Sequence, residues 1–407
     1  MNPRTHLPSL SQPLVGLLAV LWLAPAEAAT LGETISAALA LSEQSRLTAA
    51  TRAESQALAA QAGSLLAEDP SLRLKTLSDR FNSNDGAFEN EAMVDLPLWL
   101  PGQPAARRAQ AQALSAQADS DAHWRRWEMA GRVREAAWAA ALAEGRVKQA
   151  DQALASARAL EQAMDRRARA GELAPMDVAL AQQDSLTREL EREDARLAFT
   201  QAMQAFRQLS GLDDLPQPLR ETLPETRALD ESHPALLRAT AMTGQARAGR
   251  ERARRDRFGQ PLLSVGVKQA RDARGMSTDE ALQLEVSLPW SLQRLHAPDL
   301  AAAERELTSA EVDQLQARRA VQQALTEAEL AWRGSGEALA VAERQQQTSA
   351  RTLKLTERAF SLGELDLNRL LRAREQARLA DLTLALRRLE RERAAARLNQ
   401  ALGVVPE

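Results

Sequence analysis

Two spacings of apolar residues alternate along this chain. Leu31, Ile35 and Leu39 recur every fourth residue, and no proline interrupts before Pro70, so residues 31–67 are predicted to form one helix. Leu72 and Leu74 then alternate with Arg73 and Lys75, the two-residue period of a strand. Asn82 to Gly86 is dense in turn formers. Beyond it Ala92, Val94, Leu96 and Leu98 share one apolar face, while Met93, Asp95 and Pro97 make a mixed one. These runs predict a β-hairpin with strands near residues 71–77 and 92–99. Pro101-Gly102-Gln103-Pro104 marks its exit. From Ala105 to Ala170 there is no proline, which predicts a helix of about 65 residues, roughly 100 Å long at 1.5 Å per residue. Ala106, Ala109, Ala113 and Ala116 are spaced 3, 4, 3, a coiled-coil seam of small residues. Gly171 breaks this helix, Pro175 opens the next, and Gly211 ends it.

The same order then returns. Residues 215–233 carry three prolines and Pro234 follows directly, so this stretch reads as a linker. A helix is expected from Pro234 to Phe258, and strands near 261–270 and 281–290. The last strand has Leu282, Leu284, Val286, Leu288 and Trp290 on one face, and Gln283, Glu285 and Ser287 on the other. A long helix runs from Pro298 to Leu362, and a shorter one from beyond Gly363 to about Leu402. Gly171-Glu172-Leu173 recurs as Gly363-Glu364-Leu365, an offset of 192 residues. Val94, Leu96 and Pro97 match Val286, Leu288 and Pro289 in the same register, and Gly211 matches Gly403. The fold expected is mainly α with a small β part. It is a duplicated helix–hairpin–long-helix-pair unit, with copies at 29–214 and 234–407.

Composition narrows the function. Aromatics are 3% of the chain and Tyr is absent, a bias toward closely packed Ala-rich helices. The net charge of −3 favours no nucleic-acid partner, and Arg252-Ala253-Arg254-Arg255 reads as a solvated helix face. There is no Cys, hence no thiolate metal site and no lipidated N-terminal Cys. His6, His123, His233 and His296 are scattered without a ligand spacing. No nucleotide loop or Ser/His/Asp set is present, so neither catalysis nor a cofactor is expected. Leu14 to Leu23 is an apolar run of about ten residues followed by Pro25 and Ala26-Glu27-Ala28, which predicts a cleaved secretory signal over residues 1–28.

No later segment has the ~18 apolar residues of a spanning helix, so entry into a membrane requires a closed β-barrel. One-sided apolar strands in a secreted chain suit such a barrel. Four strands cannot close one alone. Either several chains contribute strands, or the sheet belongs to a soluble periplasmic coiled-coil scaffold or adaptor.

The ordered set of Leu96-Pro97 and Leu288-Pro289 exits, Ala-rich helices, Gly-x-Leu breaks with Asp177-Val178 after the first, and Leu209-Ser210-Gly211 and Leu402-Gly403 ends resembles the TolC family of outer-membrane efflux ducts. The resemblance covers nearly all of the mature chain. It implies a homotrimeric α-helical barrel topped by a shared 12-stranded transmembrane β-barrel. The barrel hairpins would then include Leu96, Leu98, Trp99, Leu284, Val286, Leu288 and Trp290. In the family such helical tips, here Gly171, Glu172, Leu173, Gly363, Glu364 and Leu365, meet a periplasmic adaptor that links the duct to an inner-membrane pump. The nearby Asp177, Asp366, Asn368, Arg369 and Arg372 would line a constriction, with Asp177 latched to Arg369 or Arg372. Without Tyr, an interfacial girdle relies on Trp99, Trp290, Phe81, Phe88 and Phe258.

Overall fold

The computed structural model describes residues 29–42, 44–290 and 293–406; the expected signal segment lies outside them. The chain begins with a capping box. Thr30 Oγ accepts from the Glu33 amide, and the Thr30 amide donates back to the Glu33 carboxylate at 2.7 Å. Helix α1 (Leu31–Leu41) follows, then α2 (Gln44–Gly63). The single helix expected over 31–67 is therefore broken, because Ser42 is extended at φ −81°, ψ 132°. The break lets the two pieces serve different neighbours. Leu31, Ile35 and Ala38 of α1 are buried with Met129, Val133 and Phe206, while α2 runs along the next long helix.

Strands β1 (Ser71–Ser78) and β2 (Phe88–Pro97) form the first hairpin. They lead into α3 (Gln103–Arg169) and α4 (Pro175–Ser210). Residues 211–233 cross to α5 (Pro234–Asp256), followed by β3 (Leu262–Arg271), β4 (Asp279–Ser287), α6 (Gln293–Ser361) and α7 (Leu367–Ala401). Helices α3 and α6 have 67 and 69 residues, so each is about 100 Å long. Helix α3 packs on α4, α6 packs on α7, and α3 bridges the two pairs through α5 and α7. Small residues permit the close approach of α3 and α7. A Cβ on Gly145 would lie 2.7 Å from Leu389 Cδ1.

At mid-length, the crossing segment is clamped to both pairs. The Arg134 guanidinium of α3 is buried and makes two bonds, of 2.8 and 2.6 Å, to the Glu221 carboxylate. It also donates to the Val404 carbonyl at 3.1 Å, and Asn399 of α7 donates to Glu221 at 3.2 Å. A buried pair of this kind stands only because its remaining hydrogen-bonding capacity is used. Trp127 and Gln400 exchange side-chain-to-backbone bonds of 2.8 and 2.9 Å alongside it.

Apolar stripes remain uncovered along two of the helices. On α6, Val312, Leu330, Val341 and Leu355 are exposed and separated by about 5, 3 and 4 helical turns, so they share one face. On α4, Leu186, Leu190 and Leu197 are exposed one and then two turns apart.

His233 caps α5, its Nδ1 accepting from the Ala235 amide at 3.2 Å, and its buried ring meets Trp127 edge-on with centroids 5.0 Å apart. Only the neutral ring can accept there, and burial holds its pKa below the ordinary 6.5. The unfolded chain therefore takes up this proton first as pH falls. The capping stability is complete above about pH 6.5 and is lost as pH drops toward the depressed folded value. We expect thermal stability to fall between about pH 7.5 and 5.5. In His233→Asn, which caps without titrating, part of that fall should vanish; identical pH profiles by calorimetry would contradict this reading.

Candidate functional site

The four strands form one antiparallel sheet in the order β1-β2-β3-β4. Its register decides which side chains share a face. Leu72, Val94, Val265 and Leu284 lie in one row across the sheet, Leu74, Ala92, Val267 and Leu282 in the next, and Leu96, Leu263 and Val286 in a third. Over these three rows the face is apolar and open, with Leu282 81% exposed and Leu74 71%; the next row toward the turns, Thr76, Asn90, Gln269 and Glu280, is polar. The opposite face is charged and internally paired. Arg73 makes bonds of 3.2 and 2.7 Å to Asp95 and donates to Ser264 at 3.0 Å. Lys75 and Lys268 converge on Glu89 and Glu91, with Lys75 at 3.2 and 3.4 Å and Lys268 at 2.7 and 3.7 Å. Met93 fills the middle of this face over Gly266, where a Cβ would lie 2.1 Å from the Ala92 carbonyl oxygen.

The strand limits differ from expectation in an informative way. Strand β2 begins at Phe88, not near 92, because Glu89 and Glu91 are held by lysines from both neighbouring strands. The Glu-x-Glu alternation just before Ala92 was the available signal. Leu98 and Trp99 lie beyond β2. Leu98 forms an isolated bridge to Leu66, and the Trp99 indole donates to the Ser64 carbonyl at 3.0 Å, tying the sheet to α2. Leu288 and Trp290 lie beyond β4, both exposed. Strands β1 and β4 each have one free edge.

At the other end, the two helical tips are built alike. The Glu172 amide donates to the Arg167 carbonyl and the Gly171 amide to that of Ala168; Glu364 and Gly363 repeat this with Ala359 and Phe360. Both glycines have φ of 79°, the left-handed residue of a Schellman turn. Behind the tips, Leu160, Met164, Ala181, Leu367 and Leu370 form a shared core, flanked by Leu173. Leu365 is half-buried, while Glu172 and Glu364 are exposed and Glu172 pairs with Arg167 at 3.1 Å.

The tips differ in how the following helix starts. Asp366 accepts from the Arg369 amide at 2.8 Å and caps α7, whereas α4 starts from Ala174 with Pro175 in its first turn. Asn368, Arg369 and Arg372 are exposed, and Asp177 is half-exposed in the first turn of α4. Among the described residues no ion pair joins Asp177 to Arg369 or Arg372 within the chain. The bridges that do join α4 to α7 are Arg188–Glu375 at 2.8 Å and Arg378–Glu191 at 3.6 Å. Arg378, helped by Arg188, lowers the Glu375 pKa. Their signal in sequence was two oppositely oriented Arg/Glu pairs at i, i+3, but nothing local indicated that the pairs would meet.

Among the described residues no cluster of His, Asp or Glu could hold a metal ion, and no helix is long and apolar enough to cross a membrane. No protein-family model matches the sequence, and no curated protein matches it. Solved structures do match the backbone. A membrane protein from Pseudomonas aeruginosa is 18% identical over 97% of this chain and 99% of its own, with a TM-score of 0.71. The outer membrane protein VceC from Vibrio cholerae is 16% identical over 92% of this chain and 96% of its own, with a TM-score of 0.74. The chain has the fold of the TolC-type outer-membrane channels. The Campylobacter jejuni CmeC outer membrane channel shares this TolC-type fold, at 14% identity over 97% of this chain and 94% of its own and a TM-score of 0.69. At such identity the likeness lies in the backbone. The side chains of sheet and tips must be argued from this chain alone.

The capping difference between the tips is directly testable. Asp366→Ala should cost about 1 kcal/mol of stability, the usual worth of an N-cap carboxylate. Ala174→Asp should add a cap to α4. Equal melting temperatures for wild type and Asp366→Ala would show that the cap contributes nothing.

Proposed function

We propose that this protein is a passive exit duct of the outer membrane, exporting small molecules or metal ions for an energised inner-membrane pump. The sheet carries this reading. It has one exposed apolar face, one self-paired charged face and two unpaired edges. A soluble sheet would cover the first and cap the last. In lipid, edges are tolerated only in a closed barrel. Strands of 8 to 10 residues suit a tilted span, which takes about 9–11. Three chains would supply 12 strands. The exposed stripes of α4 and α6 are then the surfaces by which neighbours join into a ring.

On this reading residues 29–214 and 234–407 are two copies of one unit, joined by 215–233, and residues 1–28 are a cleaved export signal. The tips at Gly171, Glu172, Leu173, Gly363, Glu364 and Leu365 meet the hairpins of a periplasmic adaptor. A Cβ on either glycine would meet nothing within 4 Å, so both surfaces are open to a partner. Asp177, Asp366, Asn368, Arg369 and Arg372 border the mouth. Since Asp177 has no such pair within its own chain, a latch to Arg369 or Arg372 would join neighbouring copies.

The deciding experiment isolates outer membranes, extracts the protein in mild detergent and measures its mass by light scattering. A trimer from the outer membrane is expected; a soluble periplasmic monomer would overturn the duct and favour the scaffold. Leu330→Glu, which puts a charge into the α6 stripe, should shift the protein from trimer to monomer. In planar bilayers, Asp177→Ala should weaken cation preference, since a ring of carboxylates favours cations. An unchanged reversal potential would remove Asp177 from the mouth.

A further inference from the structure

The basic run that closes α5 is almost fully paired within the chain. Arg250 meets Glu304 at 2.6 Å, Arg252 lies 3.9 Å from Asp256, and Arg254 and Arg255 reach Glu251 at 3.7 and 2.8 Å. Arg257 is different. Among the described residues it has no ion pair, and its buried Nε has no acceptor. Its guanidinium lies over the Phe258 ring, 4.5 Å from the centroid. A guanidinium donor withdrawn from water without an acceptor is costly, so its surroundings are informative.

Arg257 lines a cavity of about 470 Å³ between the end of α5 and the first turns of α6. Phe258, Ala297, Leu300 and Ala301 make most of its wall apolar, and His296 stands at its margin. The carboxylate that borders it, Glu304, already belongs to Arg250. The cavity runs along α6 at residues 296–304, beyond the first turn of that helix. A cation with no ion-pair partner and an apolar trough thus meet in one place.

Its position says what could fill it. Phe258 precedes Leu263 by five residues, so the cavity lies within ~17 Å of the row Leu96–Leu263–Val286, the apolar row nearest the helices. It also opens on an identifiable side of the wall. Leu300 and Arg318 are 18 residues apart, about five turns, and so share a face of α6. Arg318 pairs with Glu231 of the crossing segment. A duct keeps such a segment out of its bore, which makes this face the outer one.

We propose that this cavity binds a phospholipid of the periplasmic leaflet. The phosphate accepts from Arg257, and an acyl chain lies along Phe258, Leu300 and Ala297. The proposal rests on the outer-membrane reading above. It gives the protein a lipid contact at the foot of its barrel, where Tyr is missing and aromatic anchors are few.

The test uses the full-length protein in phosphatidylethanolamine vesicles doped with a diazirine-bearing phosphatidylethanolamine. Flotation first establishes insertion; irradiation and peptide mapping follow. Crosslinks should concentrate at Phe258 and residues 294–305. Arg257→Gln should lower their yield about tenfold, the worth of one hydrogen bond to a charged group. Arg254→Gln, an exposed and paired neighbour, should leave the yield unchanged. Labelling spread evenly over the barrel foot, or indifferent to Arg257→Gln, overturns the proposal. So does loss of the label under excess inorganic phosphate, which would mark a free-phosphate site. Protein that fails to float with the vesicles defeats the duct reading itself and takes this proposal with it.

Discussion

The free edges of a four-stranded sheet constrain everything else in this molecule. Strands β1 and β4 each present a row of unpaired amides and carbonyls, while three rows of one face of the sheet are open hydrocarbon. Water can satisfy the edges but not the face, and lipid the face but not the edges. The helical part has the same incompleteness, with apolar stripes along α4 and α6 that the chain does not cover. Sheet and helices are thus incomplete in the same way, and the proposed ring of copies would cover both.

The charged face of the sheet is stabilised differently. Its ions are arranged in rows across strands, so that Lys75, Glu91 and Lys268 lie side by side in register. Glu89, Glu91, Asp95 and Glu285 each have a cation within 4 Å, and Arg73, Lys75 and Lys268 each reach two carboxylates. Such a face tolerates contact with water without presenting isolated charges. The alternation of the strands thus gives the sheet two chemically distinct sides, and one pleat serves both.

Rigidity along the length comes from the middle. Arg134 and Glu221 join a long helix to the crossing segment, and Asn399 and Gln400 bring the last helix into the same cluster. Toward the tips the connections become fewer and more exposed, consisting of the small core around Leu367 and Leu370 and the Arg188–Glu375 and Arg378–Glu191 bridges.

Much of the architecture is written locally. Alternating Leu72, Leu74, Leu282 and Leu284 specify strands and their apolar face, because a strand's side chains change sides at every residue. Gly171 and Gly363 specify helix ends, because the chain passes through φ of 79° where a Cβ is strained. Long stretches rich in Ala and free of proline specify the long helices. What tertiary structure alone decided depends on partners distant in sequence. Glu89 and Glu91 look like loop residues until Lys268 arrives from the second hairpin. Nothing near Trp99 in sequence indicates that its indole meets the Ser64 carbonyl. The break at Ser42 serves packing against α3 and α4, which no pattern within residues 31–67 can encode. That Asp366 caps a helix is decided by the backbone of α7, whose Arg369 amide donates to it. Periodicity fixes how a segment folds and which of its faces is apolar, while the choice of neighbour is set by contacts that form only when distant segments meet.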